Sequence, residues 1–199
     1  MTEARTEILA AVRAALEDAD PAPPPPTVPG VATPPGDVVD KFAERVADYR
    51  AVVERCPAAE LSERVAAALP DGGPVVVPSG LSIPIPGAIV DDGSLTAADL
   101  DKIAAVVTEA RVGIAETGTI VLDHGPGQGR RAISLVPDTH ICVVREDQVV
   151  ADVPDAIAIL DPASPLTWIS GPSATSDIEL DRVEGVHGPR NLHVIVVAR

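Results

Sequence analysis

Residues 112–144 read VGIAETGTIVLDHGPGQGRRAISLVPDTHICVV. The stretch holds four short, nearly continuous apolar runs separated by glycine, proline and acidic residues. They predict strands at Val112–Ala115, Thr119–Leu122, Ala132–Val136 and Ile141–Val144. An apolar run without alternation marks a strand buried on both faces, and these runs are too short for free-standing helices. Strands that follow one another so closely imply some antiparallel pairing within an otherwise parallel sheet.

Working outward, Thr96–Arg111 predicts a helix with Thr96 as N-cap and Asp99 in its first turn. Val75–Val77 and Ala88–Val90 read as strands, and Leu61–Leu69 as a helix stopped by Pro70. Asp37–Arg55 predicts a helix with Val38, Val39, Phe42, Val46, Tyr49 and Val53 on one stripe. Beyond residue 150, Asp152–Leu160 predicts a helix, and Leu166–Ile169 and Leu192–Ala198 predict strands. The expected architecture is α/β: an open, mostly parallel sheet with helices on both faces. Residues 1–20 form an N-terminal helical arm, with Ile8, Leu9, Val12 and Leu16 at helical spacing. Residues 21–36 are a proline-rich linker, and 37–199 are one α/β domain.

The 199 residues carry 15 basic and 30 acidic side chains, a formal charge of −15. Aromatics are only 2%, so the core must be aliphatic, and the single Trp168 is expected inside it. Such a chain has neither a basic field for phosphates nor stacking surfaces for bases, so no nucleic-acid partner is expected. Anionic membrane surfaces are excluded on the same ground. Cys56 and Cys142 supply neither a disulfide framework nor the four thiolates of an iron–sulfur cluster. His124, His140, His187 and His193 show no metal-ligand spacing. No apolar run is long enough for a membrane span. Glu3, Arg5, Glu7 and Arg13 interrupt the N-terminal apolar pattern as no signal peptide does, so the cytoplasm is the expected compartment.

Four bends concentrate chemistry. Ser170-Gly171-Pro172-Ser173-Ala174-Thr175-Ser176-Asp177 follows a predicted strand and reads as a helix start. Unpaired helix amides, with hydroxyls from Ser170, Ser173 and Thr175, would cradle an anion, and Asp177 would favour the dipole; an ordinary capped turn is the plainer reading. Glu116-Thr117-Gly118-Thr119 lies at a strand end, where open α/β sheets bind ligands. Glu116 there can act as base, nucleophile or hydroxyl acceptor, and Gly118 permits close approach; a tight turn with a solvated glutamate is the alternative. Asp123–Arg131 contains Gly125, Gly127 and Gly129, but Arg130 stands where a dinucleotide fingerprint needs its last glycine, and a strand is predicted to follow. The segment therefore reads as a flexible connection whose Arg130 can pair a carboxylate or phosphate in bidentate fashion. Finally, His187 in Gly185-Val186-His187-Gly188-Pro189 sits in a turn, where an imidazole can face a cleft.

Taken in order, Glu116–Thr119, Gly129-Arg130, Pro137–Ile141, Ser170–Glu179 and Gly185–Pro189 resemble the LUD-domain family, which includes lactate-utilisation proteins. The resemblance covers residues from about 40 to 199, and the opening helix is similar to that family's N-terminal arm. It implies a fold like the NagB/RpiA/CoA-transferase class. It also implies a role in oxidising L-lactate to pyruvate beside iron–sulfur partner proteins. Larger relatives carry C-x-x-C cluster motifs that this sequence lacks, so no cofactor is expected in this chain and the iron–sulfur clusters are expected in the partners.

Two readings follow. In the first the chain is an accessory subunit of lactate oxidation that binds a small organic anion through Thr117, Gly118, Thr119, Arg130, Ser170, Gly171, Ser173, Thr175 and Asp177, with its N-terminal arm docking on a partner. In the second it is a stand-alone enzyme of the CoA-transferase or sugar-phosphate-isomerase kind, with Glu116 as catalytic residue and His187 assisting. The second lacks an evident nucleophile–base pair, and a fold alone supplies no reaction.

Overall fold

The computed structural model describes residues 2–18, 38–175, 183–184 and 187–198; the expected linker and Asp177 lie outside these described residues. Along the chain run α1 (Thr2–Ala15), α2 (Val38–Asp48), β1 (Val52–Pro57), α3 (Leu61–Ala68), β2 (Val75–Pro78) and β3 (Ile89–Asp91). There follow α4 (Ala97–Leu100), β4 (Ala105–Glu109), β5 (Val112–Ile114), β6 (Thr119–Leu122), α5 (Arg131–Leu135) and β7 (Thr139–Arg145). The last are β8 (Val149–Val150), α6 (Val153–Ile159), β9 (Thr167–Ile169), β10 (Ala174–Thr175), β11 (Val183–Glu184) and β12 (Asn191–Ala198).

Six strands pair in parallel in the order β1-β12-β7-β4-β2-β3. The central strands are buried on both faces, which explains their unbroken runs of Val, Ile and Ala. Alternation along β7 and β12 divides the core. Ile141, Val143, Ile195 and Val197 point to the face covered by Val65 of α3, while Cys142, Val144, Val194 and Val196 point to the face covered by Phe42 and Val46 of α2. On that second face lies a smaller sheet, β8-β5-β6-β9, in which β6 runs antiparallel to both β5 and β9. The antiparallel pairing predicted for the middle of the chain thus occupies a separate sheet rather than the main one. α6 covers the outer side of the small sheet through Ala156 against Val112, Ile114 and Val121.

Several elements differ from their predicted form. The helix expected over Thr96–Arg111 stops at Leu100, capped by reciprocal Thr96–Asp99 hydrogen bonds, and Ala105–Glu109 becomes a strand. That strand is flanked by β2 and β7, so ladder hydrogen bonds and burial on both faces outweigh helical periodicity. The helix expected through Arg55 ends at Asp48; Arg50 takes a left-handed backbone (φ 67°), and β1 then pairs with β12 along its whole length. Ala132–Val136, expected as a strand, lies mostly in α5. Ile133 is sunk among Val76, Leu100 and Val106, with Ala132 and Val136 packed against the same cluster, a spacing that suits a helical turn. Among the described residues no helix starts directly after Ser170: Ala174–Thr175 pairs antiparallel with Val183–Glu184. Trp168, expected in the core, is 41% exposed. On α1 and the turn after it, Ile8, Leu9, Val12 and Leu16 are all exposed.

Candidate functional site

α5, β9 and the two bends that follow β9 and precede β12 enclose a hollow of about 290 Å³ over the first residues of β7 and β12. Its lining includes Arg131 and Ser134 from α5, Thr167 and Trp168 from β9, and Ser170, Gly171 and Ser173 from the bend beyond. His187, Gly188 and Pro189 close another side, and His140 and Leu192, neighbours across β7 and β12, also border it. The two bends are tied together: Ser173 N–H donates to Pro189 O at 2.8 Å, and His187 N–H donates to Ser173 Oγ at 2.9 Å.

Of the residues predicted from sequence, the structure gathers Ser170, Gly171, Ser173 and His187 around this hollow. Gly171 has φ 86°, and a Cβ there would fall 2.6 Å from Tyr49 Cβ, so its glycine is required by packing behind the bend. Thr175 lies in β10, and Asp177 is outside the described residues. The bend at Glu116–Thr119 does not line the hollow, but hydroxyls connect it: Thr117 Oγ1 and Thr119 Oγ1 are 2.8 Å apart, and Thr119 Oγ1 is 2.8 Å from Ser170 Oγ. Gly118 has φ 58°, and a Cβ there would meet the backbone of Arg45 at 2.6 Å. That glycine serves the docking of α2. Glu116 forms an ion pair with Lys41 of α2.

Arg130 occupies a different place. It lines a second, more open hollow with Ser79, Gly80, Asp91, His124 and Gly129, at the carboxyl ends of β2 and β3. Its guanidinium donates twice to the Asp91 carboxylate, at 2.8 and 3.0 Å, and once to Leu95 O at 2.7 Å. Hydrogen bonding to Asp91 holds the guanidinium above its ordinary pKa. The bidentate carboxylate partner foreseen for Arg130 is therefore a residue of its own chain.

The segment 123–130, expected to be flexible, is closed on itself. Gln128 Nε2 donates to Asp123 Oδ1 at 2.6 Å and Asp123 N–H donates to Gln128 Oε1 at 2.7 Å, while Gly127 bridges Ser79 O and Glu109 N–H. A helix follows it rather than the predicted strand, yet α5 is only five residues long and Arg130 still replaces the fingerprint glycine. His124 (φ 61°) lines the second hollow and contacts Thr167 of the first. Its Nδ1–H donates to Gly129 O at 2.8 Å, leaving Nε2 to accept from Thr167 Oγ1 at 3.0 Å.

Arg131, Ser134, His140 and Thr167 are lining residues that sequence reasoning did not select. Among the described residues Arg131 has no carboxylate partner, which makes it the free cation at the hollow. His140 is buried and pushed down to about 4 by that burial, so its imidazole is neutral. A guanidinium, several hydroxyls and a neutral imidazole around a small space can hold a carboxylate and orient a polar group beside it. Among the described residues, no group of three or more His, Cys, Asp or Glu could hold a metal ion.

The family model described as LUD domain matches residues 95–197. The chain is also 48% identical to lactate utilization protein C of Deinococcus radiodurans, across 98% of this chain and 96% of that protein. The chain belongs to the LUD domain family. Lactate utilization protein C of Bacillus subtilis is 35% identical over 100 residues, 46% of this chain and 41% of that protein. A crystal structure of a DUF162 family protein from Deinococcus radiodurans superposes with a TM-score of 0.71 at 41% identity, covering 83% of this chain and 99% of that one. The LUD match includes α5, β7, β9 and most of β12, so the elements that form the hollow fall within it.

Proposed function

We propose that this LUD chain takes part in lactate utilisation as an accessory subunit that binds a small organic acid between α5 and the Ser170–Ser173 bend. The observation that carries the reading is Arg131, a cation with no carboxylate partner among the described residues, beside the hydroxyls of Ser134, Ser170 and Ser173. The names of its relatives supply the metabolic setting. At about 290 Å³ the hollow stands at the lower end of the ~300–1,000 Å³ usual for small-molecule pockets, which favours a ligand of few atoms over an acyl-CoA. Glu116 is engaged by Lys41 and does not line the hollow with His187, so the stand-alone enzyme reading has no constellation to support it.

In this reading electrons pass through iron–sulfur clusters of partner proteins in the cytoplasm, and α1 offers its exposed apolar stripe to such a partner. No helix of the described residues is long and apolar enough to cross a membrane. Titration calorimetry of the full chain with L-lactate and pyruvate tests the site. Arg131→Ala should weaken binding by about 1.5–3 kcal/mol, the worth of a charged hydrogen bond. Unchanged affinity in that variant, or no binding by the parent chain, removes the site. Co-purification with the iron–sulfur partners, followed by lactate-dependent electron transfer with and without this chain, tests the accessory role.

A further inference from the structure

We infer that His140 makes this hollow selective for carboxylates bearing an adjacent hydroxyl over those bearing an adjacent oxo group. The inference rests on the small-acid reading above and adds the recognition of the ligand's second functional group. His140, on β7, is 1% exposed and lines the hollow. Its Nε2 lies 2.8 Å from Thr108 Oγ1, and Thr108 Oγ1 in turn donates to Cys142 Sγ at 3.7 Å. A hydroxyl has one proton. We take that proton as directed to sulfur, so that Thr108 accepts from the ring and Nε2 carries the hydrogen. A neutral imidazole has a single N–H, and Nδ1 therefore holds a lone pair. A Thr108 proton directed to Nε2 would put the N–H on Nδ1 and favour the oxo acid instead.

Nδ1 has no hydrogen-bond partner among the described residues, yet no fully buried side-chain nitrogen or oxygen among them is left without one. Nδ1 is accordingly open to the hollow. Burial keeps the imidazole neutral, and it pushes the Cys142 thiol up to about 12, so neither end of the relay changes its charge near neutral pH. A lone pair accepts from a hydroxyl and repels a carbonyl oxygen. A 2-hydroxycarboxylate offers a carboxylate to Arg131 and a proton to Nδ1, whereas a 2-oxocarboxylate leaves Nδ1 unsatisfied.

The test is calorimetry on the full chain near pH 7 with L-lactate and pyruvate as probes. L-Lactate should bind about tenfold more tightly, which is about 1.4 kcal/mol. Thr108→Val removes the hydroxyl that orients the ring while keeping its shape, and should bring the ratio to about one. Thr108→Ser keeps the hydroxyl and should keep the ratio, and it decides the matter with the parent chain if Thr108→Val does not fold. Equal affinities or tighter pyruvate binding in the parent chain, or an unchanged ratio in folded Thr108→Val, overturn the role of His140 and leave the Arg131 site standing. Binding of neither acid overturns both.

Discussion

Replacing Arg130 by alanine separates a structural arginine from a ligand-binding one. The Asp91 side chain is only 5% exposed, while that of Arg130 is 36% exposed. Removing one partner of a fully buried pair costs about 3–5 kcal/mol, because the other charge is left unpaired. A fully exposed pair is worth about 0–1 kcal/mol. Asp91 is at the buried limit and Arg130 between the two, and the bond to Leu95 O is lost as well, so a cost of about 2–3 kcal/mol is expected. For a chain of this length each kcal/mol shifts Tm by about 2–4 °C, which gives a loss of about 4–12 °C. Scanning calorimetry reads the loss, and titration with L-lactate on the folded variant should give an affinity within about twofold of the parent, since Arg130 lines the other hollow. A Tm within 1–2 °C of the parent, or a marked loss of affinity, would refute the assignment of Arg130 to Asp91.

Gly118→Ala should destabilise by about 2–4 kcal/mol, from the left-handed backbone and the approach to the Arg45 backbone, without altering ligand affinity; chemical denaturation and calorimetry check the two halves. His140 predicts an acid sensitivity with a definite sign. Its pKa falls from 6.5 to about 4 on folding, so the unfolded chain binds the extra proton and stability drops as pH falls below 6.5, with no further loss below about 4. Between pH 7 and 5 this one group removes about 2 kcal/mol, and a His140→Gln variant should lose correspondingly less over that interval in urea melts.

Much of this architecture can be read from local pattern. Val112–Ile114, Thr119–Leu122, Thr139–Arg145 and Asn191–Ala198 are strands because β-branched runs without polar alternation fit only where both faces are covered. The α/β class and the presence of bends at Ser170 and His187 follow from the same reading, since serine, glycine and proline mark turns whatever surrounds them. Where neighbours compete with local preference, pattern misleads. Ala105–Glu109 continues the pattern of the helix begun at Thr96 but becomes a strand because β2 and β7 are there to pair with it, and Ala132–Val136 has no strand to pair with and coils.

The sequence alone determined that a −15 chain with an aliphatic core folds as α/β and carries hydroxyl-rich turns, because composition and short-range periodicity act within a few residues of each other. Only the tertiary structure decided which arginine meets those turns. Arg130 and Arg131 are adjacent and chemically identical, and nothing in their immediate surroundings distinguishes them. Asp91, distant in sequence but brought close by β3, captures the first, and the start of α5 turns the second toward the hollow. The same holds for His140, whose lone pair is set by Thr108 and Cys142 through the register of two parallel strands, a relation that exists only once the sheet has formed.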